Sequence, residues 1–275
     1  MTNGSLHIVG TGIRPTRHLT PEAAEAIRNS QQLLYLIPDP AAAEFIISLA
    51  GGETIDAGTS YQSDAPLADA YERMIGRALE CVKAGNRTCF ALYGHPGVMV
   101  NPSHRLLRLA RSEGYEVIML PAVSAEDCLF ADLGIDPATQ GCQTFWATDL
   151  LLNRRLIDPT TATVIWSIGV VGCLSCSSSG MAPNALLSLL NRLYSSFPPT
   201  HPVVVYEAAT VAGQPHRAEA IPLNALPAVT LDGASTLYIP PVWPTVPEWQ
   251  QYAEFNVPID AVTQLFRSDP PITNG

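Results

Sequence analysis

Tyr93-Gly94-His95-Pro96-Gly97 places a phenol and an imidazole on a turn with two glycines, directly after the apolar run Thr88–Leu92. A buried strand that ends this way and feeds a helix near Pro102 is how an open α/β sheet shapes a binding crevice at its carboxyl edge. Glycine allows backbone to approach a ligand closely, and proline fixes the turn. Spacing alone also fits a plain strand–helix connection. A second glycine turn, Gly10-Thr11-Gly12, follows Leu6-His7-Ile8-Val9. It lacks the third glycine of a dinucleotide fingerprint, because position 15 is Pro15, and only Asp39 is placed to meet a ribose. A nicotinamide cofactor finds little support.

Metal and redox chemistry find less. The six histidines (His7, His18, His95, His104, His201, His216) form no i,i+4 pair and have no carboxylate at ligand spacing, so no metal site is expected. Cys173-Leu174-Ser175-Cys176 has the spacing of a redox pair, but no second pair accompanies it for zinc. Most of the remaining cysteines fall in apolar runs, where a thiol behaves as a small buried hydrophobe.

The elements that must position these residues alternate along the chain. Strand patterns at Leu6–Val9, Leu33–Ile37, Thr88–Leu92 and Glu116–Leu120 are interleaved with helical patterns at Pro21–Ser30, Pro40–Ala50, Leu67–Val82 and beyond Pro102. Thr20 and Pro21 form a helix start, and residues 56–66 have loop composition. Ser124-Ala125-Glu126-Asp127 reads as a capped helix with acids in its first turn. Further strands are expected at Gln143–Ala147, Thr163–Ile168, Val203–Glu207 and Thr236–Ile239, with a helix at Asn184–Tyr194. Short connections there favour antiparallel pairing. The pattern predicts two α/β domains, residues 1–121 and 122–243, followed by an arm at 244–275.

Composition narrows the partners. With 275 residues, 47% hydrophobic and 15% charged, the chain can bury one large core or two modest ones and leave neutral surface for a second subunit. A net charge of −10 and no block of Lys or Arg argue against nucleic acid. No apolar run approaches the roughly 18 residues that span a bilayer, and Met1–Ser5 lacks signal-peptide character, so the cytoplasm is the expected compartment.

Several of these stretches occur in one order: Ile8–Ile13, His18–Ala23, Tyr93–Gly97 and Leu120–Asp127. Together they resemble the tetrapyrrole-methylase class of S-adenosylmethionine-dependent methyltransferases. Pro102-Ser103-His104-Arg105, Phe130–Gly134 and Gly141-Cys142-Gln143 are similar, more narrowly, to the borosin-type peptide backbone α-N-methyltransferases. The resemblance covers about residues 5–243. It implies two α/β domains with a cleft for S-adenosylmethionine, released as S-adenosylhomocysteine. The implied cofactor contacts are His95, Val98, Met99, Ser124, Ala125, Ser167, Tyr206, Ala208, Thr236 and Leu237.

For catalysis the resemblance implies Tyr61, Tyr71 and Tyr93, acting on an amide whose nitrogen is a poor nucleophile because its lone pair is delocalised. Leu67 stands where the peptide enzymes carry an arginine, and Arg73, on the same expected helix, points elsewhere. Three outcomes stay open: Arg73 or Arg77 substitutes, the substrate is an easier nucleophile, or the chain binds cofactor without efficient amide methylation. The tail, Ser268–Gly275, contains no Val/Ile/Gly repeat, so the expected substrate is a separate precursor peptide arriving in trans, as in split borosin systems. A homodimer is expected. The alternatives are a methyltransferase acting on a tetrapyrrole or another small molecule, and a non-catalytic binding subunit.

Overall fold

The computed structural model describes residues 4–63, 65–176, 180–211, 213–242, 246–258 and 260. The chain divides into two compact units: Met1–Cys128 with Leu174–Ser178 and Ala209–Gln214, and Leu129–Cys173 with Ser179–Ala208 and Pro215–Gly275. Each carries a five-stranded sheet.

The first unit runs β1 (Ser5–Gly10), α1 (Pro15–His18), α2 (Pro21–Asn29), β2 (Gln32–Leu36), α3 (Pro40–Ser48), β3 (Glu53–Asp56), a 3-10 turn at Ala57–Ser60, α4 (Leu67–Lys83), β4 (Arg87–Leu92), α5 (Asn101–Ser112), β5 (Glu116–Leu120) and the start of α6 (Ala125–Leu133). Its strands are all parallel in the order β3-β2-β4-β1-β5. The strands are apolar on both faces because both are covered. Leu6, Ile8, Leu34, Phe90 and Leu92 pack toward α4 and α5, while Val9, Leu33, Cys89 and Ala91 pack toward α2 and α3. Thr20 and Asp39 begin α2 and α3 by accepting bonds from Ala23 N (3.1 Å) and Ala42 N (2.7 Å), with proline at the first helical position of each.

Chain order reverses between β1 and β4. The path from β1 leads through α2 to β2 on one side, and the path from β4 leads through α5 to β5 on the other. The carboxyl ends of these neighbours form the switch point of the sheet, where open α/β sheets bind ligands.

The second unit contains the rest of α6, α7 (Pro137–Gln140), β6 (Cys142–Trp146), α8 (Ala147–Leu152), β7 (Ala162–Trp166), α9 (Ala185–Tyr194), β8 (Pro202–Glu207), β9 (Arg217–Pro222), β10 (Thr236–Ile239) and α10 (Trp249–Glu254). The sheet order is β6-β7-β10-β8-β9, parallel at β6–β7 and antiparallel elsewhere. One sheet face, with Ile165, Val203, Val205 and Leu237, buries Leu150 of α8 and Leu189, Leu190 and Leu193 of α9.

The α/β character and the antiparallel second sheet agree with the sequence patterns. The structure adds β3 and β9 and starts α8 at Ala147, where strand was expected to continue. In the expected C-terminal arm, residues 244, 245, 259 and 261–275 lie outside the described residues.

Candidate functional site

Two glycine turns lock together at the switch point. Gly12 and Gly94 exchange backbone hydrogen bonds of 3.2 and 3.1 Å, and Thr11 N donates to Leu92 O at 2.8 Å. Gly94 has φ +70°, which glycine adopts without strain. A Cβ on Gly10 would overlap Gly94 O, Ala122 Cβ and Pro96 Cδ, so the end of β1 must be glycine for the turn to close over it.

The rest of the turn is fixed by its own side chains. Gly97 N–H donates to His95 Nδ1 at 2.9 Å, which places the proton of a neutral His95 on Nε2. His104 Nε2 lies 2.9 Å from Gly97 O and therefore donates. Ser103 Oγ donates to the carbonyls of Pro96 and Val100. Met99 sits at φ +59° with 51% of its surface exposed, an uncommon conformation held by these bonds. His95, Val98 and Met99 thus share one rigid turn.

Ser124 and Ala125 follow β5, the other neighbour of β1. Ser124 caps α6 by accepting from Asp127 N (3.1 Å), and its own N–H and hydroxyl both reach Asp127 Oδ2 at 2.7 Å. Asp127 thus engages both the backbone N–H and the hydroxyl of Ser124.

The tyrosines fall into two places. Tyr61 follows the 3-10 turn, and Tyr71 lies on α4 one turn after Leu67. Leu174–Cys176 pairs with the entry to α4, through Leu67 N to Leu174 O (2.9 Å) and Cys176 N to Ala65 O (2.8 Å). Burial, then Tyr71 and Cys176, push the Tyr61 phenol up to about 12. Burial and Cys176 also raise Tyr71. Tyr93 stands at the end of β4, its amide donating to Leu36 O, and burial followed by Cys128 pushes its phenol up to about 12. All three phenols are therefore protonated at neutral pH, the form in which a phenol can donate a hydrogen bond. Cys176 lies in a stretch with the spacing of a redox pair but read as structural; its place beside two tyrosines had no local signal.

Arg73 does not present a free guanidinium in place of the one missing at Leu67. Its Nε and Nη2 both donate to Ser60 O, at 3.1 and 2.7 Å. Arg77 pairs with Glu80 on the exposed face of α4.

In the second unit, Ser167, Tyr206, Ala208 and Thr236 gather at one sheet edge, the carboxyl ends of β7 and β8 and the amino end of β10. Ser167 adopts φ +59°, turning the chain sharply after β7. Tyr206 is buried and donates to Asp132 Oδ2 at 2.7 Å, and His216 Nδ1 lies 3.5 Å from the same oxygen. Leu237 is wholly buried in the core and Thr236 is 2% exposed, so these two would meet a ligand through backbone alone. Asp132, His216 and the Glu207–Arg217–Glu219 pairs are polar groups at this edge that strand patterns do not reveal.

The expected cofactor contacts include no Lys or Arg. Among the described residues no cluster of His, Cys, Asp or Glu could hold a metal ion, and no helix is long and apolar enough to cross a membrane.

Residues 5–222 match the family described as Tetrapyrrole (Corrin/Porphyrin) Methylases. The chain is 36% identical to the methyltransferase/ribosomally synthesized type I borosin cyclic peptide precursor of Serendipita vermifera subsp. bescii, covering 98% of this chain and 66% of the relative. It is 38% identical to the dendrothelin A precursor of Dendrothele bispora and to the omphalotin A precursor of Omphalotus olearius, in each case over 86% of this chain and 58% of the relative. The chain thus spans roughly three fifths to two thirds of these relatives' lengths. Uroporphyrin-III-C-methyltransferase from Thermus thermophilus shares the fold at TM-score 0.62 and 18% identity, covering 92% of this chain and 96% of that one. With the parallel sheet, the closed glycine turn and a match over most of its length, the chain belongs to the tetrapyrrole (corrin/porphyrin) methylase family.

Proposed function

We propose that this protein N-methylates backbone amides of a precursor peptide presented in trans, working as a cytoplasmic homodimer. Methyl transfer from S-adenosylmethionine is the family's chemistry. The finer reading rests on one observation above others: Tyr61 and Tyr71 stand close to each other and to Cys176, and burial raises both phenols. The similarity to borosin precursors supports it, since those proteins join a methyltransferase to a peptide.

An amide nitrogen becomes nucleophilic when its proton leaves and charge moves onto the carbonyl oxygen. Protonated phenols at Tyr61, Tyr71 and Tyr93 would donate to that oxygen and stabilise the charge as it develops. S-adenosylmethionine would supply the methyl group, a carbon–nitrogen bond forming as the carbon–sulfur bond breaks, with S-adenosylhomocysteine leaving and the amide proton passing to solvent water. His95, Val98, Met99, Ser124 and Ala125 in the first unit, and Ser167, Tyr206, Ala208, Thr236 and Leu237 in the second, are the proposed donor-binding residues. Their part is alignment, which supplies much of the rate in methyl transfer.

The test is incubation of purified protein with S-adenosylmethionine and either Val/Ile/Gly-rich peptides or a tetrapyrrole, followed by mass spectrometry. Methylated peptide, with the modification on backbone nitrogen, is expected. Methylation of the tetrapyrrole alone overturns the peptide reading.

A further inference from the structure

The 3-10 turn before Tyr61 is tied to α4 at one point that no local sequence pattern explains. Arg73 directs Nε and Nη2 onto a single acceptor, Ser60 O, at 3.1 and 2.7 Å. Other arginines nearby pair with carboxylates, Arg77 with Glu80 and Arg105 with Glu72. Among the described residues no carboxylate pairs with Arg73, so its charge is directed at the carbonyl. A guanidinium fork on a carbonyl is charge-assisted and stronger than a neutral pair.

The clamped carbonyl belongs to the peptide plane that joins Ser60 to Tyr61. That plane is rigid, so fixing its oxygen fixes where Tyr61 N and Cα sit, leaving only rotation about φ and χ1 to aim the side chain. The amino side of the turn is held separately, by Asp56 Oδ1 accepting from Gly58 N (2.7 Å) and Thr59 Oγ1 donating to Asp56 O (2.7 Å). At the carboxyl side Tyr61 N donates to Gly58 O at 3.0 Å. Beyond Tyr61 the chain continues through loop to Pro66 before α4 begins. Without Arg73, Tyr61 would ride on the exposed end of a short turn. With it, Tyr61 is referenced to α4, which buries Ala70, Met74, Ala78 and Val82 in the core and carries Tyr71 two residues before the arginine.

We propose that Arg73 is a positioning residue: by clamping the Ser60 carbonyl it holds Tyr61 in register with Tyr71. This rests on the peptide N-methyltransferase reading, and it means that Arg73 acts through Tyr61 rather than on the substrate.

Acetylation of tyrosines by N-acetylimidazole, read peptide by peptide by mass spectrometry, tests it without any need for activity. Arg73→Ala should raise Tyr61 labelling several-fold relative to Tyr93, which lies on a different element. Arg73→Lys, which keeps the charge and loses the fork, should raise the same ratio by less. If Arg73→Ala loosens the whole unit, Tyr93 labelling rises in parallel, and the ratio in Arg73→Lys then decides. A Tyr61/Tyr93 ratio unchanged from wild type in both variants overturns the proposal.

A second arm uses turnover on the peptide. Arg73→Ala should lower kcat about tenfold, the scale of one lost charge-assisted hydrogen bond, and leave the KM for S-adenosylmethionine unchanged. In a Tyr61→Phe background the same substitution should have no further effect. A full additional loss there shows that Arg73 acts independently of Tyr61 and overturns the proposal. If wild type methylates no peptide, the function reading fails, and the labelling ratio still decides the role of Arg73.

Discussion

Tyr93 follows the central strand β4 directly and precedes the closed glycine turn, so its backbone is tied to the sheet on both sides. Tyr93→Phe should cut methyl-transfer turnover by about 10²-fold, the scale of a lost acid–base or hydrogen-bonding group. Donor affinity by calorimetry should change little, because the turn's backbone is untouched. Tyr61→Phe and Tyr71→Phe should lower turnover less, since a loop and a helix face place them. Their acidity sets a pH dependence. Folding raises the phenols of Tyr61 and Tyr93 from the ordinary 10 to about 12, so the protonated donor form persists beyond the range where free tyrosine ionises. At saturating donor and peptide, the rate should show no downward break as pH passes through the ordinary phenol value of about 10. A break near pH 10 that disappears in Tyr93→Phe would show that Tyr93 is an ordinary phenol. Leu67 begins α4 one turn before Tyr71 on the same face. Leu67→Arg should therefore raise amide methylation, measured as initial rate on one peptide.

At the scale of elements, the glycine turn depends on β1 ending in a residue without a side chain. Gly10→Ala would force a methyl into Gly94 O, Pro96 and Ala122 and should lower both the melting temperature and donor affinity. A thermal shift with unchanged donor affinity would separate the turn from binding. The parallel strands were legible because they are apolar on both faces and bounded by helix signals such as Thr20-Pro21. β3, only Glu53–Asp56, was not legible: it is a short, largely exposed edge strand with too few buried positions to show a period. β9 alternates alanine with charged residues at the opposite edge of its sheet, and its polar ladder with Glu207 hides it. Ser124 was legible as a cap, but its engagement by Asp127 depends on side-chain geometry. The bridge of Leu174–Cys176 to Ala65–Leu67 joins residues over 100 positions apart, which no local pattern encodes.

Over the whole molecule, low charge content and a net charge of −10 leave no basic surface of the kind that binds a phosphate backbone. Light scattering should give about twice the 29.5 kDa chain mass if the protein is a homodimer. On the proposed function, the family's methyl transfer is directed here at peptide nitrogen. Its most direct test is a multiple-turnover assay with excess S-adenosylmethionine and a Val/Ile/Gly-rich peptide added in trans, followed by fragmentation mass spectrometry. The account predicts successive methyl additions on backbone nitrogens, more equivalents than enzyme, and strong suppression by Tyr93→Phe. Donor binding by calorimetry with no methylated peptide under those conditions would contradict it.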